Sequence, residues 1–216
     1  MAKRKAKKLG KVQKPPASEF KKGRKLFFVP LIFTPIKPEP DFLELVNKYW
    51  EQAREQVEKL EEKLTEAKKV YHELIASGGD EGVKAIEKLS TGSHQVTKSS
   101  LDKGAKLQPI EDGDLLVEFM DWGRCLAVGL QSQKVFSEVY KTYLEVQKRR
   151  NEQIAKRIDE TLGSDEVGIL LMREGHQVQF PSDIQVFYVA PPGLDEVKRW
   201  FQERGSRTQE KKEENA

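Results

Sequence analysis

The sequence predicts a helix-rich α/β protein with a small mixed or parallel sheet, two long antiparallel helices and disordered tails. Continuous apolar runs over residues 167–172 and 184–190 are typical of strands that helices cover on both faces. Two long stretches with apolar residues at helical spacing, 41–76 and 131–162, predict the helices. The 216 residues suffice for one domain with a sizeable core, which we place at residues 26–204.

The first 25 residues form a strongly basic arm. They contain eleven Lys or Arg and one Glu, a net charge of +10; because the whole chain carries +3, the other 191 residues carry −7. The arm has too few apolar side chains to build a core, so we expect it to be disordered alone. It is predicted to bind nucleic acid, such as ribosomal RNA, or another polyanion. The candidate contacts are Lys3, Arg4, Lys5, Lys7, Lys8, Lys11, Lys14, Lys21, Lys22, Arg24 and Lys25.

The compartment follows from cysteine content and from the segment after the arm. Cys125 is the single cysteine, which excludes an intrachain disulfide and favours a reducing compartment. Residues 26–33 are apolar, but the run is short and interrupted by Pro30, which argues against a signal peptide. No apolar run is long enough to span a bilayer, and we expect a cytoplasmic protein.

Residues 25–34 predict the first strand, or two short strands with a kink. Pro30 cannot donate to a sheet ladder, which favours an edge position or a bulge. Residues 41–76 then contain neither Pro nor Gly and predict one helix of about 36 residues, roughly 54 Å long. Its apolar residues repeat in steps of four and three from Val46 to Leu74, a heptad seam typical of coiled coils. Leu60 and Leu64 lie on this seam, and Glu61 lies off it.

The second long helix, 131–162, carries a seam of Phe136, Tyr140 and Tyr143 that polar residues interrupt at Gln147 and at Arg150 or Asn151. If the strands at either end share a sheet, the two long helices run antiparallel. We expect their seams to contact each other, a protein partner or a second copy of the chain. Shorter helices are predicted at 81–89, 99–106, 114–126 and 194–204, with a polar, disordered tail over 205–216.

The candidate catalytic residues follow the strand 167–172 directly: Arg173, Glu174 and His176, with Gly175 between them. In open α/β sheets ligands gather at the carboxyl ends of strands. An acid/base pair or a metal ligand set is one interpretation, with Glu73, Asp112 or Asp121 as the second group; a turn with an exposed histidine is the other. Convergence of His72, His94 and His176 would indicate a metal. We predict no metal and no cofactor.

The carboxylates Asp114, Glu118 and Asp121 recur at helical spacing ahead of Cys125. This pattern could form a carboxylate–thiol site, but it is also the solvent stripe of an amphipathic helix, which we favour. The sequence contains no P-loop, no Gly-x-Gly-x-x-Gly fingerprint, no Gly-x-Ser-x-Gly elbow and no zinc-finger signature.

One segment resembles a known family. Arg150-Asn151 on a helix, followed by a strand and then by Gly175-His176, is similar to the end of the TraB family over roughly a quarter of the chain. The family pattern is Gly-x-x-His, whereas this chain has Glu174-Gly175-His176. The family's other such motif, after the first strand, is replaced here by Phe33-Thr34-Pro35.

Two functions therefore remain. The first is a non-enzymatic binding protein whose basic arm engages nucleic acid and whose two long antiparallel helices, a helical hairpin, contact protein. The charge asymmetry between the arm and the rest of the chain favours it. The second is a metal-dependent or acid/base hydrolase with its site at Arg173-Glu174-Gly175-His176. The sequence leaves open whether the chain is an enzyme.

Overall fold

The computed structural model describes residues 22–35 and 37–213, with residues 205–213 as backbone only. Five strands are present in this part of the chain: β1 (Arg24–Pro30), β2 (Ala67–His72), β3 (Lys106–Gln108), β4 (Val167–Met172) and β5 (Ile184–Tyr188). Six helices accompany them: α1 (Pro40–Lys63), α2 (Gly79–Leu89), α3 (Thr91–Asp102), α4 (Gly113–Ala127), α5 (Gln133–Thr161) and α6 (Pro192–Glu213).

The strands form one parallel sheet in the order β3-β2-β4-β1-β5. The predicted helix-rich α/β class is confirmed, and the sheet is of the parallel kind. Every residue of β4 is buried, because helices cover both faces of the central strands.

The expectation that Pro30 marks an edge strand or a bulge is wrong, since β1 lies between β4 and β5. The backbone amides of Lys25 and Leu31 donate to the β4 side. Alternation therefore places the Pro30 nitrogen on the β5 side. β5 pairs with β1 only as far as Phe28, so no partner strand faces the missing donor.

Two cores lie on opposite faces of the sheet. Alternate residues of β1 supply both, with Phe27 and Val29 on one face and Leu26 and Phe28 on the other. Helices α1, α2, α3 and α6 cover the first face and α5 covers the second. The buried residues that these helices contribute are Phe42, Val46, Tyr49, Trp50, Ala53, Val57, Ile86, Val96, Leu194 and Val197 on the first face, and Ile154 and Ile158 on the second.

The predicted helix over residues 41–76 is two elements, because α1 ends at Lys63 and β2 begins at Ala67. The buried Glu61 side chain stabilises the break: its carboxylate accepts hydrogen bonds from the Ala67 backbone amide (3.1 Å) and from the Lys103 ammonium (2.7 Å). Glu61 was expected off the buried seam, and its role in this turn explains why it is buried instead.

The pair of long antiparallel helices is not confirmed either, because α1 and α5 lie on opposite faces of the sheet. The helix that packs along α5 is α4. The other predicted elements are present with shifted bounds, most of all α3, which starts at Thr91 rather than at residue 99. Residues 205–213, expected as a disordered tail, continue α6.

Candidate ligand site at the carboxyl edge of the sheet

A crevice opens where the chain leaves β2 and β4. From β2 the chain runs outward to β3, whereas from β4 it runs in the opposite direction to β5. Neighbouring strands whose connections diverge in this way form a topological switch point, where open α/β sheets bind ligands. The crevice has a volume of about 200 Å³ and is lined by residues after both strands, by α5 and by Phe119 of α4.

A buried charge cluster forms one wall of the crevice. Arg150 on α5 donates Nε to Glu111 Oε2 (2.9 Å) and Nη2 to both Glu111 Oε1 and Glu73 Oε1, the latter at 3.2 Å. Its guanidinium also stacks 4.7 Å from the Phe119 ring centroid. Glu111 in addition accepts the Leu74 backbone amide at 2.9 Å. All three charged side chains are buried, and Arg150 pairs with each of the two glutamates.

Arg173, the first predicted site residue, extends this cluster towards solvent. Its backbone amide donates to Glu73 Oε2 (2.9 Å) and its Nη2 donates to Glu73 Oε1 (2.9 Å). Burial alone raises the pKa of Glu73, but the hydrogen bonds and charge of Arg173, together with the charge of Arg150, outweigh it and hold the pKa below its usual range. Glu73 is therefore a fixed carboxylate that orients Arg173, whose side chain remains 46% exposed.

His176, the second predicted residue, lies half-buried at the same crevice. Its ring packs against Phe28 and Phe180, with centroids 5.0 and 5.7 Å away, and burial lowers its pKa. Its Nδ1 accepts the Val178 backbone amide at 3.3 Å. In the neutral ring the proton is then on Nε2, which makes Nε2 a hydrogen-bond donor. The preceding Gly175 has φ +76°, a conformation that favours glycine, and turns the chain after β4.

Glu174, the third predicted residue, lines the crevice and also makes hydrogen bonds to two residues outside it. Its Oε1 accepts from Lys198 Nζ (2.7 Å) and from the Tyr188 hydroxyl. Among the described residues its Oε2 accepts no hydrogen bond, so this oxygen is available to a ligand or to water. The structure thus brings all three predicted residues to one crevice.

Three polar residues that were not predicted as site residues also line the crevice: Tyr143, Gln147 and Asn151, all on α5. Within the part of the chain that the structure describes, the side chains of these three residues make no hydrogen bond. For Gln147 and Asn151 the signal was the interruption of the apolar seam at Gln147 and at Arg150 or Asn151, whereas Tyr143 belonged to that seam and carried no such signal. Of these interruptions, Arg150 has its hydrogen-bond partners in the charge cluster, whereas Gln147 and Asn151 line the crevice.

The remaining histidines do not join this site. His72 is fully buried at the end of β2, where its Nδ1 donates to the Glu73 carbonyl (2.6 Å) and its Nε2 accepts from the Ser93 hydroxyl (2.9 Å). Burial lowers its pKa to about 4, so it is neutral and ties α3 to the sheet. His94 lies on α3. Across the described residues no group of three or more His, Cys, Asp or Glu side chains could hold a metal ion.

The other candidate groups have structural contacts. Asp112 caps α4 through the Leu115 amide (3.0 Å), and Asp121 pairs with Arg124 on the surface. Glu118, on the predicted solvent stripe, pairs with Arg149 of α5, and Cys125 is exposed. Of the candidate second groups, Glu73 is the one in the crevice.

Most of the basic arm, from Lys3 to Lys21, lies outside the described residues. Lys22 is exposed. Arg24 pairs with Asp159 and Asp183, both at 2.7 Å, and the buried Lys25 donates Nζ to the Gly23 carbonyl. The arm therefore joins the body at the amino edge of the sheet, opposite to the crevice.

Comparison with known proteins finds no matching family model, no matching curated protein and no matching solved structure. The resemblance to the TraB family thus has no support from a family match. None of the six helices within residues 22–35 and 37–213 contains an apolar stretch of the length that a bilayer requires.

Proposed function

We propose that the protein binds a small molecule with a carbonyl oxygen in the crevice and hydrolyses it by acid/base chemistry. The observation that carries this proposal is the convergence of donors and unengaged polar side chains on one switch-point crevice. Arg173 and the Nε2–H of His176 are donors for the carbonyl oxygen, and Tyr143, Gln147 and Asn151 are available to orient the rest of the substrate.

The assigned roles follow from the hydrogen bonds. Arg173 and His176 stabilise the negative charge that develops on the oxygen when water attacks the carbonyl carbon. Glu174 Oε2 accepts the proton of the attacking water as general base. When the tetrahedral intermediate collapses, the bond from the carbonyl carbon to the alcohol or amine breaks, and Glu174 gives the same proton to this leaving group. Glu73 is a positioning residue, since two arginines hold its charge and it acts through Arg173. His176 is an unsuitable base in this arrangement because Val178 occupies its Nδ1 and leaves the proton on Nε2.

The size of the crevice limits the substrate. Its volume of about 200 Å³ is below the roughly 300–1,000 Å³ of pockets that hold drug-sized ligands. We therefore expect short esters or amides rather than extended polymers to be turned over.

The test is turnover of a panel of short chromogenic esters and amides by the full chain and four variants. Glu174→Gln should lower kcat/KM by about 10²–10⁴-fold, and Arg173→Met or His176→Gln by about 10²–10³-fold. His94→Gln is the matched control, because His94 is a partly buried histidine away from the crevice. The hydrolase proposal is wrong if no panel member is turned over, or if His94→Gln and His176→Gln have equal effects.

A second candidate function is nucleic-acid binding by the basic arm, which the charge of +10 over residues 1–25 favours. Because Arg24 and Lys25 make contacts within the body, a deletion that tests this function should stop at residue 21 so that β1 stays intact. Anisotropy of a labelled RNA and a labelled duplex DNA should show binding that falls steeply with salt and is lost on deletion of residues 2–21. Full affinity of the truncated chain would refute this function.

A further inference from the structure

The amino-terminal half of α5 has an uncovered aromatic surface. Phe136 and Tyr140 stack on each other with centroids 5.8 Å apart, and Leu144 continues the same surface one turn later. Each of the three is exposed, Tyr140 by 46%, and together with Lys141 and Lys148 they line a shallow groove. Clustered apolar exposure of this kind marks interaction surfaces in soluble proteins.

A second, deeper groove follows on the same helix. It begins at Leu144 and Lys148, which belong to both grooves, and extends past Glu152 to Ala155. Its volume is about 730 Å³, and Gln177 and Gln179 of the β4–β5 connection form the opposite wall. One continuous face of α5 thus has projecting aromatic side chains in its first half and a concave surface in its second half.

The charges on this face are arranged symmetrically. Lys141, Glu145, Lys148 and Glu152 follow one another in steps of four, three and four residues, so they lie along one side of the helix. A two-fold axis crossing α5 level with residues 146 and 147 places Lys141 opposite Glu152 of a second copy. The same axis places Glu145 opposite Lys148 of that copy, so both pairs join opposite charges.

We infer that α5 pairs with α5 of a second copy of this chain in an antiparallel, two-fold symmetric dimer. An isologous interface must be self-complementary, and this helix face is complementary to itself in charge and in shape. Reversal of the helix brings the Phe136–Tyr140 pair of one copy over the groove beside Glu152 and Ala155 of the other. Both halves of the face are then covered in both copies.

The dimer would also border the crevice at the carboxyl edge. Gln147 and Asn151 line both the groove and the crevice, so the aromatic pair of the second copy would lie next to the crevice mouth. This consequence does not depend on the proposed hydrolysis, because dimerisation is measured without a substrate.

Sedimentation velocity of the full chain over a dilution series tests the inference through a charge swap. Lys141→Glu alone should weaken the dimer by about tenfold, since it places like charges opposite each other at two symmetric positions. Glu152→Lys alone should do the same. An equimolar mixture of these two variants should dimerise as well as the wild type, because the heterodimer restores both opposite-charge pairs.

Lys59→Glu on α1 is the matched control, since Lys59 also lies on an exposed helix face beside a glutamate, and it should leave the dissociation constant unchanged. Tyr140→Ser should weaken the dimer without changing the far-ultraviolet circular dichroism of the monomer. A wild-type chain that stays monomeric at every concentration overturns the inference, even if this face binds another protein. A dimer that neither single charge variant weakens, or a mixture that does not restore dimerisation, overturns it too.

Discussion

Removal of the Arg150 side chain tests the buried charge cluster directly. Arg150→Met keeps a similar side-chain volume but leaves the buried Glu111 carboxylate without its cation, and Glu73 with Arg173 alone. Breaking a buried ion pair in this way typically costs about 3–5 kcal/mol, because the remaining charge stays buried and uncompensated. We expect the free energy of unfolding, measured by urea denaturation at neutral pH, to fall by this amount.

The neighbouring Arg149 provides the control. It pairs with Glu118, but its side chain is 56% exposed, against 4% for Arg150. An exposed pair contributes about 0–1 kcal/mol, so Arg149→Met should change the free energy of unfolding by no more than that.

A double-mutant cycle separates the ion pair from lost packing. In a Glu111→Gln background the carboxylate is already neutral, and Arg150→Met should then cost about 1–3 kcal/mol less than in the wild type. Equal costs in both backgrounds, or a cost of Arg150→Met as small as that of Arg149→Met, would show that the ion pair of Arg150 with Glu111 does not stabilise the fold.

Three further predictions concern other buried contacts. The pKa of His72 is about 4 in the folded chain and about 6.5 in the unfolded chain, so as the pH falls the unfolded state binds a proton before the folded state does. The free energy of unfolding should therefore fall by about 3 kcal/mol between pH 6.5 and 4. His72→Gln should flatten this part of the stability–pH profile. Glu61→Ala leaves the Ala67 amide without its acceptor and should lower the free energy of unfolding by about 1–3 kcal/mol. Glu62→Ala, at the exposed neighbouring position, should change it by no more than about 0.5 kcal/mol, and the midpoints of urea denaturation measure both. A Cβ at Gly92 would lie 2.1 Å from Trp50 Cδ1, so Gly92→Ala should cost about 1–3 kcal/mol by overpacking, and a melting temperature equal to wild type would contradict this.

Elements with local signals were predictable from the sequence. β4 is an uninterrupted apolar run with the predicted bounds, since a central parallel strand needs apolar side chains on both faces. Helices α4 and α5 begin at residues whose caps are local: Asp112 accepts the Leu115 amide, and Ser132 accepts the Val135 amide. Their predicted bounds are within two residues of the observed ones.

The break after α1 was not predictable because its causes are not local. The heptad spacing continues through Ala67 and Tyr71 without a Gly or Pro. Apolar residues at these two positions fit a strand as well as a helix, so the pattern alone does not distinguish the two. Residues 67–72 form a strand rather than a continuation of the helix because they pair with β3 and β4, whose residues are distant in sequence. The Glu61–Lys103 contact also stabilises the break. Tertiary pairing of this kind overrides local propensity.

The same error concerns Glu73, which the sequence offered only as one of three candidate second groups for the site. Arg173 and His176 were accessible to prediction because they follow a recognisable strand, and strand ends hold ligands. Glu73 was placed near the end of a long helix, whereas it lies one residue past β2 and receives Arg150 from 77 positions away. Once β2 is known to be a strand, the rule that identified His176 identifies Glu73 as well.

The contacts of the chain around β1 make the two candidate functions separable. The Gly23 amide donates to Asp165, and Arg24 pairs with Asp159 and Asp183, so the basic arm is anchored at the amino end of β1. The crevice lies at the carboxyl edge of the sheet, after β2 and β4. The seven residues of β1 separate the two edges by about 20 Å at the usual rise per residue. Deletion of residues 2–21 should therefore leave ester turnover unchanged, and His176→Gln should leave RNA affinity unchanged. If either change impairs both activities, the arm and the crevice belong to one site, and the assignment of two separate functions is wrong.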